Sequence, residues 1–339
     1  MSYQSALEKL RDLGMHGMAA AREGQTVAEA AVKPYSLDRP HVLNSLTKSF
    51  VSMAIGFCVQ EGLLSLDDQA ISFFPGHFQG RPCENMEKIT VRHLLMMATG
   101  HTKEPYFWPG EQEPLEKFLH SYVATQPGSL FLYNTAGSHV LGYIAEKVSG
   151  VSVEEYLRPR LLEPLGITGW IWDRQPDGTC MTGVGLHLST RDILKFGNFL
   201  LFEGLVNGRQ LINQEWIRQA TSKKIVQPGE PDTEWTSGYG YQFWINRRED
   251  SFRADGAFGQ FCIVIPRRRL VVAMNSGTQD MGGMLDVIFE ELIPALDGDV
   301  PFTAELDAPL HESDGQRQLR LWLVEGVPWT YKELFTEGM

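Results

Sequence analysis

Apolar residues in the first fifth of the chain recur with the spacing of an amphipathic or buried helix. They follow Ser45 at Leu46, Phe50, Met53, Ala54, Phe57 and Cys58. Residues three and four positions apart share one face of a helix, so this stripe predicts a helix that starts at Ser45. Gly62 follows as its predicted end.

The helical period returns several times before residue 203. A helix is predicted to begin at Thr90, and others to cover 138–148 and 193–202. Ser189 and Asp192 stand three residues apart ahead of the last of these, which is the spacing of a helix cap. The middle of the chain is therefore predicted to be mainly helical.

Toward the end of the chain the pattern changes to that of strands. Strands are predicted over 239–245, 261–265 and 270–275, with 266–269 as the turn between the last two. A helix over 285–293 is predicted to pack on them. The chain thus combines a helical middle with antiparallel strands near its end.

Composition and charge narrow the class of protein. The chain has 339 residues, of which 43% are hydrophobic and 21% charged, and these proportions exclude a mainly disordered, collagen-like or coiled-coil protein. The formal net charge of −12 repels phosphate backbones, so nucleic acid is not expected as a partner. The apolar stretch 50–59 is too short to cross a bilayer, and the first residues lack the pattern of a signal peptide. These features predict a soluble, cytoplasmic protein with no membrane span.

The sequence lacks the motifs of several common enzyme chemistries. The four cysteines form no C-x-x-C pair, and the nine histidines are scattered without the spacing of metal ligands. Phosphate-binding and dinucleotide-binding glycine motifs, the H-E-x-x-H zinc motif and the G-x-S-x-G elbow are also missing. No metal ligand set and no cofactor are therefore expected.

One short motif carries candidate chemistry, the S-x-x-K formed by Ser45 and Lys48. On a helix the two side chains share a face, so the amine can lie beside the hydroxyl. Serine needs a neighbouring base to act as a nucleophile, and a buried lysine with a lowered pKa can serve. Chance alone yields about one such motif in a chain of this length. A helix cap followed by a solvated lysine is the structural alternative.

The motif has neighbours in a fixed order that resemble the serine β-lactamase-like superfamily. The greatest similarity is to the group of class C β-lactamases, DD-peptidases and related esterases. The segments that carry this resemblance are 44–50, 61–68, 89–100, 133–135, 141–150, 185–192, 238–241 and 255–260. They extend in the family's order from about Ser45 to about Ser276.

The resemblance implies a fold and a domain organisation. The fold is the α/β (α+β) β-lactamase/transpeptidase-like one, with an antiparallel sheet flanked by helices plus a mostly helical subdomain. We expect one catalytic domain over 1–300. Its α/β part comes from roughly 1–44 and 236–300, and its helical part from roughly 45–235. Residues 301–339 are expected to form a C-terminal extension docked on this body.

The resemblance also implies catalytic roles. Ser45 is the nucleophile, Lys48 its basic partner, and Tyr133 shares the proton and passes it to the leaving group. The backbone N–H groups of Ser45 and Ala257 form the oxyanion hole. The structural alternative for Tyr133 is a half-buried aromatic residue in front of a helix.

Substrate-binding positions match the family less closely. The second motif has Asn134 in its middle and Thr135 in the position where the family has asparagine. In the third motif Asp255 and Gly256 are expected at the substrate, but Ala254 replaces the cation that helps to bind a carboxylate. Arg253 is adjacent, but neighbours on a strand face opposite sides.

Two tryptophans complete the expected substrate-binding residues. Trp108 and Trp235 are candidates for the wall of an apolar pocket, with packing in the core or on the surface as the alternative.

We therefore expect a serine hydrolase that forms an acyl-enzyme on Ser45 and acts on a small-molecule ester or small amide. The missing cation argues against β-lactam hydrolysis. Two alternatives stay open: a penicillin-binding DD-peptidase or β-lactamase, and a non-catalytic ligand-binding protein on the same scaffold. The substrate and the oligomeric state do not follow from the sequence.

Overall fold

A computed structural model describes residues 3–78, 81–105, 113–227, 233–298, 301–309 and 323. The strands are β1 (Met15–Arg22), β2 (Gln25–Val32), β3 (His41–Val42), β4 (Ile171–Trp172), β5 (Leu186–Leu188), β6 (Leu205–Val206), β7 (Arg209–Gln210), β8 (Trp244–Ile245), β9 (Phe252–Gly256), β10 (Gln260–Ile265), β11 (Leu270–Ser276) and β12 (Phe302–Leu306). The helices are α1 (Tyr3–Asp12), α2 (Thr47–Gln60), α3 (Glu84–Glu87), α4 (Val91–Leu95), α5 (Pro114–Leu119), α6 (Thr135–Ser149), α7 (Val153–Leu157), α8 (Thr190–Leu201), α9 (Gln214–Ala220), α10 (Met281–Val287) and α11 (Ile293–Ala295).

The main sheet combines strands from both ends of the chain. Within the described ranges it has seven strands in the order β12-β2-β1-β11-β10-β9-β8. All neighbours are antiparallel except β12, which runs parallel to β2. This arrangement confirms the expected fold class, a sheet flanked by helices. The predicted domain limits stay a prediction, and 310–322 and 324–339 lie outside the described residues.

Both faces of the sheet are buried because its central strands are apolar on both sides. In β10, Cys262 and Val264 join the core beneath α8, while Phe261 and Ile263 join the core on the opposite face with α1 and α10. Side chains alternate across a strand, so an uninterrupted apolar run supplies both cores. Gly197 lets α8 approach closely, since a Cβ there would lie 2.3 Å from Val271.

The helix predicted after Ser45 lies in the centre of the molecule. A 3₁₀ turn covers Asn44–Leu46, and α2 follows from Thr47 to Gln60. Every residue from Thr47 to Cys58 is buried. A helix that is apolar on nearly all sides belongs inside a protein, which is where packing against α6 places it.

The other predicted elements agree with the structure, with one exception. Helices are present where 138–148, 193–202 and 285–293 predicted them, and Ser189 caps α8 by accepting the Asp192 N–H. The helix predicted to begin at Thr90 is short and covers only Val91–Leu95. Strands β10 and β11 match the predicted pair.

The predicted strand over 239–245 is wrong over 239–243. Only Trp244 and Ile245 form a strand. Gly240 N–H donates to the Phe243 carbonyl at 2.8 Å, and Gln242 has a φ of 66°. These features fold the segment into a tight loop instead of extending it. The alternation of apolar residues reflects loop side chains that pack inward, which periodicity does not distinguish from a strand.

A small sheet, β3-β5-β4, leads into the segment that carries Ser45. Val42 of β3 pairs with His187 of β5, so the chain reaches the 3₁₀ turn at Asn44 directly from this sheet. Gly183 lies three residues before β5, and its carbonyl oxygen is within hydrogen-bond distance of Lys48 Nζ. Among the described helices, none combines the length and apolar character needed to span a membrane.

Candidate active site

Ser45 lies in the 3₁₀ turn that introduces the buried helix α2. The preceding residue, Asn44, has a φ of 49°, in the left-handed region that side chains rarely adopt. Its side-chain Nδ2 donates to the carbonyl of Ala257 at 3.0 Å. This hydrogen bond fastens the turn to the residue that follows β9. The hydroxyl of Ser45 is thereby held at a half-buried position in an otherwise buried segment.

Lys48 contacts Ser45 directly, as the S-x-x-K spacing predicts. Its Nζ lies 2.9 Å from Ser45 Oγ and 2.8 Å from the Gly183 carbonyl oxygen. Lys48 is 1% exposed, and this burial lowers the pKa of its amine from 10.5 to about 7, although the carboxylates of Glu104 and Asp255 oppose the shift. A large fraction of Lys48 is thus neutral near pH 7 and able to accept the Ser45 proton.

Tyr133 forms the third side of this cluster. Lys48 Nζ lies 5.1 Å from the centre of the Tyr133 ring. The ring stacks on Trp244 with centroids 5.6 Å apart. Burial raises the pKa of the phenol above its usual 10, and a hydrogen bond with Ser45 opposes that shift. Tyr133 is therefore protonated at neutral pH and placed to donate or relay a proton.

Gly256 allows strand β9 to lie against the Ser45 turn. A Cβ at this position would stand 2.0 Å from the carbonyl oxygen of Leu43, a backbone atom that cannot rotate away. The close approach brings Ala257, the next residue, beside Asn44 and Ser45. The sequence expectation of an oxyanion hole from Ser45 and Ala257 stays a prediction, and this proximity is compatible with it.

The second motif is built differently from the expectation. Asn134 is completely buried, and its Oδ1 accepts the Gly137 N–H at 2.9 Å as the N-cap of α6. Its Nδ2 donates to Thr99 Oγ1 at 3.3 Å. These hydrogen bonds hold the amide inside the protein, and the predicted contact of Asn134 with substrate stays a prediction. Thr135 is half-buried and packs against Gly183, next to Lys48.

A carboxylate that the sequence analysis missed lies at this edge. Glu104 is exposed, and its Oε1 accepts the Thr135 N–H at 2.6 Å. Its charge acts on Lys48 and raises the pKa of that amine. Glu104 comes from a polar loop without periodicity, and no pattern in the sequence relates it to Ser45.

The third motif places Asp255 beside the site but does not leave it free. Asp255 Oδ2 accepts from Arg253 Nε at 2.8 Å and from Trp235 Nε1 at 3.1 Å. Asp255 is 7% exposed and Arg253 0%. Ala254 faces the opposite side and joins the core around α2. Alternation along a strand predicts this division, but the ion pair between Arg253 and Asp255 was not anticipated.

The two predicted tryptophans have different outcomes. Trp235 is half-buried and contacts Asp255 through its indole N–H. Trp108 lies outside the described residues. Trp244, which stacks on Tyr133, supplies an aromatic wall next to the cluster.

A buried glutamine holds the helices around the nucleophile. Gln242 is 2% exposed, and its side chain accepts from Ser138 Oγ at 2.7 Å and donates to the Leu95 carbonyl at 2.9 Å. Its own carbonyl accepts from Ser49 Oγ at 2.7 Å. One residue therefore ties α2, α4 and α6 together, which fixes the helix that carries Lys48. Among the described residues, no group of three or more His, Cys, Asp or Glu is placed to hold a metal ion.

The fold and this cluster define a class, the β-lactamase/transpeptidase-like serine hydrolases. Comparison with known families agrees: a model of the Beta-lactamase family matches residues 4–288, and the chain belongs to that family. The structure of an octameric penicillin-binding protein homologue from Pyrococcus abyssi is similar, with a TM-score of 0.68 and 24% identity. The similarity covers 88% of this chain and 79% of that one and shows the common fold.

Two relatives with assigned activities are similar over a shorter part. Lovastatin esterase of Penicillium rubens is 28% identical over 169 residues, which cover 42% of each chain. Monacolin J acid methylbutanoyltransferase of Aspergillus terreus is 27% identical over 185 residues, which cover 47% of this chain and 45% of the relative. The matched part spans less than half the length of either relative.

Proposed function

We propose that the protein is a serine hydrolase that forms an acyl-enzyme on Ser45 and hydrolyses a small ester or amide. The observation that carries the proposal is the contact between Ser45 Oγ and the buried amine of Lys48, 2.9 Å apart. A lysine with a pKa near 7 is matched to proton transfer at neutral pH. The names of the two relatives, an esterase and an acyltransferase, support acyl chemistry.

In the first half of the proposed reaction, Ser45 Oγ attacks the substrate carbonyl carbon while Lys48 accepts the hydroxyl proton. The N–H groups of Ser45 and Ala257 stabilise the negative charge on the carbonyl oxygen. Tyr133 donates a proton to the leaving group as its bond to carbon breaks, and it regains a proton from Lys48. The acyl group is then an ester of Ser45.

In the second half, water attacks the acyl carbon and gives its proton to the same Lys48 and Tyr133 pair. The bond to Ser45 Oγ breaks, the serine recovers its proton, and the acid leaves. Position 254 is an alanine buried in the core, so it provides no cation to bind a substrate carboxylate. This arrangement favours esters and small amides over β-lactams.

The test is the intact mass of the protein after incubation with a fluorophosphonate, which modifies activated serines. We expect one adduct on the wild type and on Ser129→Ala, a matched control that removes an exposed serine. We expect none on Ser45→Ala, and a rate at least about 10²-fold lower for Lys48→Met, because the general base is lost. An unmodified but folded wild type would contradict the proposal and favour a non-catalytic ligand-binding protein.

Turnover is then measured with p-nitrophenyl esters of increasing acyl length, with penicillin binding measured in parallel. Ester hydrolysis that depends on Ser45 supports the proposed substrate class. A stable penicillin adduct on Ser45 without ester turnover would instead favour the DD-peptidase alternative.

A further inference from the structure

Arg253 is a completely buried guanidinium next to the proposed active site. Its Nε donates to Asp255 Oδ2 at 2.8 Å, and its Nη1 donates to Asn246 Oδ1 at 2.5 Å and to the Glu234 carbonyl at 3.2 Å. Its Nη2 is buried and has no hydrogen-bond partner among the described residues. The guanidinium therefore retains an unused donor in a place without water contact.

Aromatic rings connect this guanidinium with the reacting groups. Arg253 lies 5.1 Å from the centre of the Trp235 ring and 5.9 Å from that of Trp244. Trp244 stacks on Tyr133, so a single ring separates Arg253 from the tyrosine of the cluster. Asp255 precedes Gly256, the residue that contacts the Ser45 turn. The ion pair is thus part of the wall of the site.

The ion pair between Arg253 and Asp255 affects how this wall of the site interacts with a charged ligand. A guanidinium presents a planar set of donors that matches a carboxylate. Here the Nε edge is already occupied by the protein's own carboxylate. Burial raises the pKa of Asp255, and the Arg253 guanidinium and the Trp235 N–H, which both donate to its Oδ2, oppose that shift. Arg253 and Asp255 form an ion pair that is neutral overall, and the carboxylate of Asp255 acts on Lys48 and Tyr133.

We propose that Asp255 is a specificity-determining residue that occupies Arg253 and so excludes substrates with a carboxylate near the scissile bond, which restricts the site to neutral or cationic acyl compounds. The exposed carboxylate of Glu104, which accepts the Thr135 N–H and acts on Lys48, works in the same direction. This inference rests on the proposed function and specifies its substrate class.

Three boronic acids that share one phenyl ring and differ in the charge they carry at its 3-position test the proposal. Phenylboronic acid, 3-carboxyphenylboronic acid and 3-(aminomethyl)phenylboronic acid each form a reversible bond from Ser45 Oγ to boron, with loss of one proton to solvent. Their affinities are measured at pH 8 from the slowing of fluorophosphonate labelling, which requires no turnover. For the wild type we expect the carboxylated acid to bind at least about tenfold more weakly than phenylboronic acid, and the cationic acid at least as tightly.

Asp255→Asn leaves an acceptor for Trp235 but removes the charge that occupies Arg253. We expect the affinity ratio of the carboxylated to the neutral acid to rise at least about tenfold in this variant. In the double variant Arg253→Met, Asp255→Asn the ratio is expected to fall back to within about threefold of the wild type, since the receiving guanidinium is gone. Glu61→Gln is the matched control. It makes the same change in net charge at the far end of α2, where Glu61 pairs with Arg160.

The outcomes separate this proposal from the proposed function. A wild type that does not label overturns both. A wild type that labels but binds the carboxylated and neutral acids equally overturns this proposal alone, and that comparison needs no variant to fold. The role of the Arg253–Asp255 pair is overturned if the affinity ratio is unchanged in a folded Asp255→Asn protein. It is also overturned if the rise in this ratio persists in the double variant or appears in Glu61→Gln as well.

Discussion

Two cationic side chains are buried in the described part of the chain, and their surroundings use them in opposite ways. Lys48 is hydrogen-bonded to a hydroxyl and a backbone carbonyl, both neutral. Arg253 is hydrogen-bonded to a carboxylate, Asp255, besides neutral acceptors. The two residues come from different elements, Lys48 from the start of α2 and Arg253 from β9.

The difference shows how partners decide the chemistry of a buried charge. A cation without a counterion is destabilised by burial, so its pKa falls, and Lys48 becomes a base near neutral pH. A guanidinium does not lose its proton in a protein, and a paired carboxylate compensates its charge. Lys48 is thereby suited to move protons, while Arg253 is suited to remain fixed.

The largest expected effect is on catalysis by Lys48→Met, a change that removes the amine but keeps most of the volume. We expect kcat/KM to fall about 10³- to 10⁴-fold, because the nucleophile loses its base. The free energy of unfolding should be unchanged or higher, because a desolvated amine is removed. Ester hydrolysis and thermal unfolding measure the two quantities. A folded variant that keeps wild-type activity would contradict the assigned role.

The converse change, Arg253→Met, should act mainly on stability. It leaves the carboxylate of Asp255 buried without its counterion, which costs about 3–5 kcal/mol of unfolding free energy. The double variant Arg253→Met, Asp255→Asn should recover most of that loss, since both charges are then absent. Urea denaturation measures both proteins. A loss below about 1 kcal/mol for the single variant would show that solvent reaches the pair.

The pH dependence gives a third contrast. Because Lys48 must be neutral to act and its pKa is about 7, kcat/KM should rise about tenfold per pH unit below 7 and level off above it. The pKa of Lys48 is lower in the folded than in the unfolded protein. The unfolded chain therefore binds more protons between about pH 7 and 10.5, and this group makes stability rise with pH in that window.

A pH–rate profile measures this contrast, and the initial rates of Ser45→Ala give the background. The neighbouring His41, whose pKa burial lowers to about 4, titrates too low to produce the same limb. A profile that is flat from pH 5 to 8 would contradict the lowered pKa of Lys48.

Glu104→Gln should have the smallest effect on the pH–rate profile. It tests how strongly an exposed carboxylate acts on the buried amine of Lys48. The charge of Glu104 raises the pKa of Lys48, so its removal should shift the acid limb to lower pH. Solvent screens an exposed group, and the gain in rate at pH 6 should stay below about tenfold. The amide retains an acceptor for the Thr135 N–H. A shift to higher pH would contradict the sign of this interaction.

The Lys48 half of the comparison could be predicted from the sequence, because it depends on local spacing. Ser45 and Lys48 are three residues apart on a strongly apolar helix, and both their contact and the burial of the lysine follow from those facts. Strands β10 and β11 could be predicted equally well, since two apolar runs on either side of a turn indicate a pair of strands.

The Arg253 half could be predicted only in part. Alternation along β9 places Arg253 and Asp255 on one face, so their pairing was within reach of the sequence. Their burial was not, because Trp235 and Trp244 come from irregular segments whose positions depend on the whole fold. Glu104 and the inward-facing amide of Asn134 are similar cases, since a polar residue in a loop has no periodicity to indicate its neighbours.

The hydrogen bond from Asn44 to Ala257 has a consequence for biosynthesis. It joins residues 213 positions apart, and β1, near the start of the chain, has β11 as a sheet neighbour. A ribosome that has released the Ser45 turn must still translate about 200 further residues before Ala257 and β11 are available. The nascent chain thus exposes Ser45 before the surrounding site can assemble, and the proposed chemistry has to wait until Ala257 and β11 have been translated.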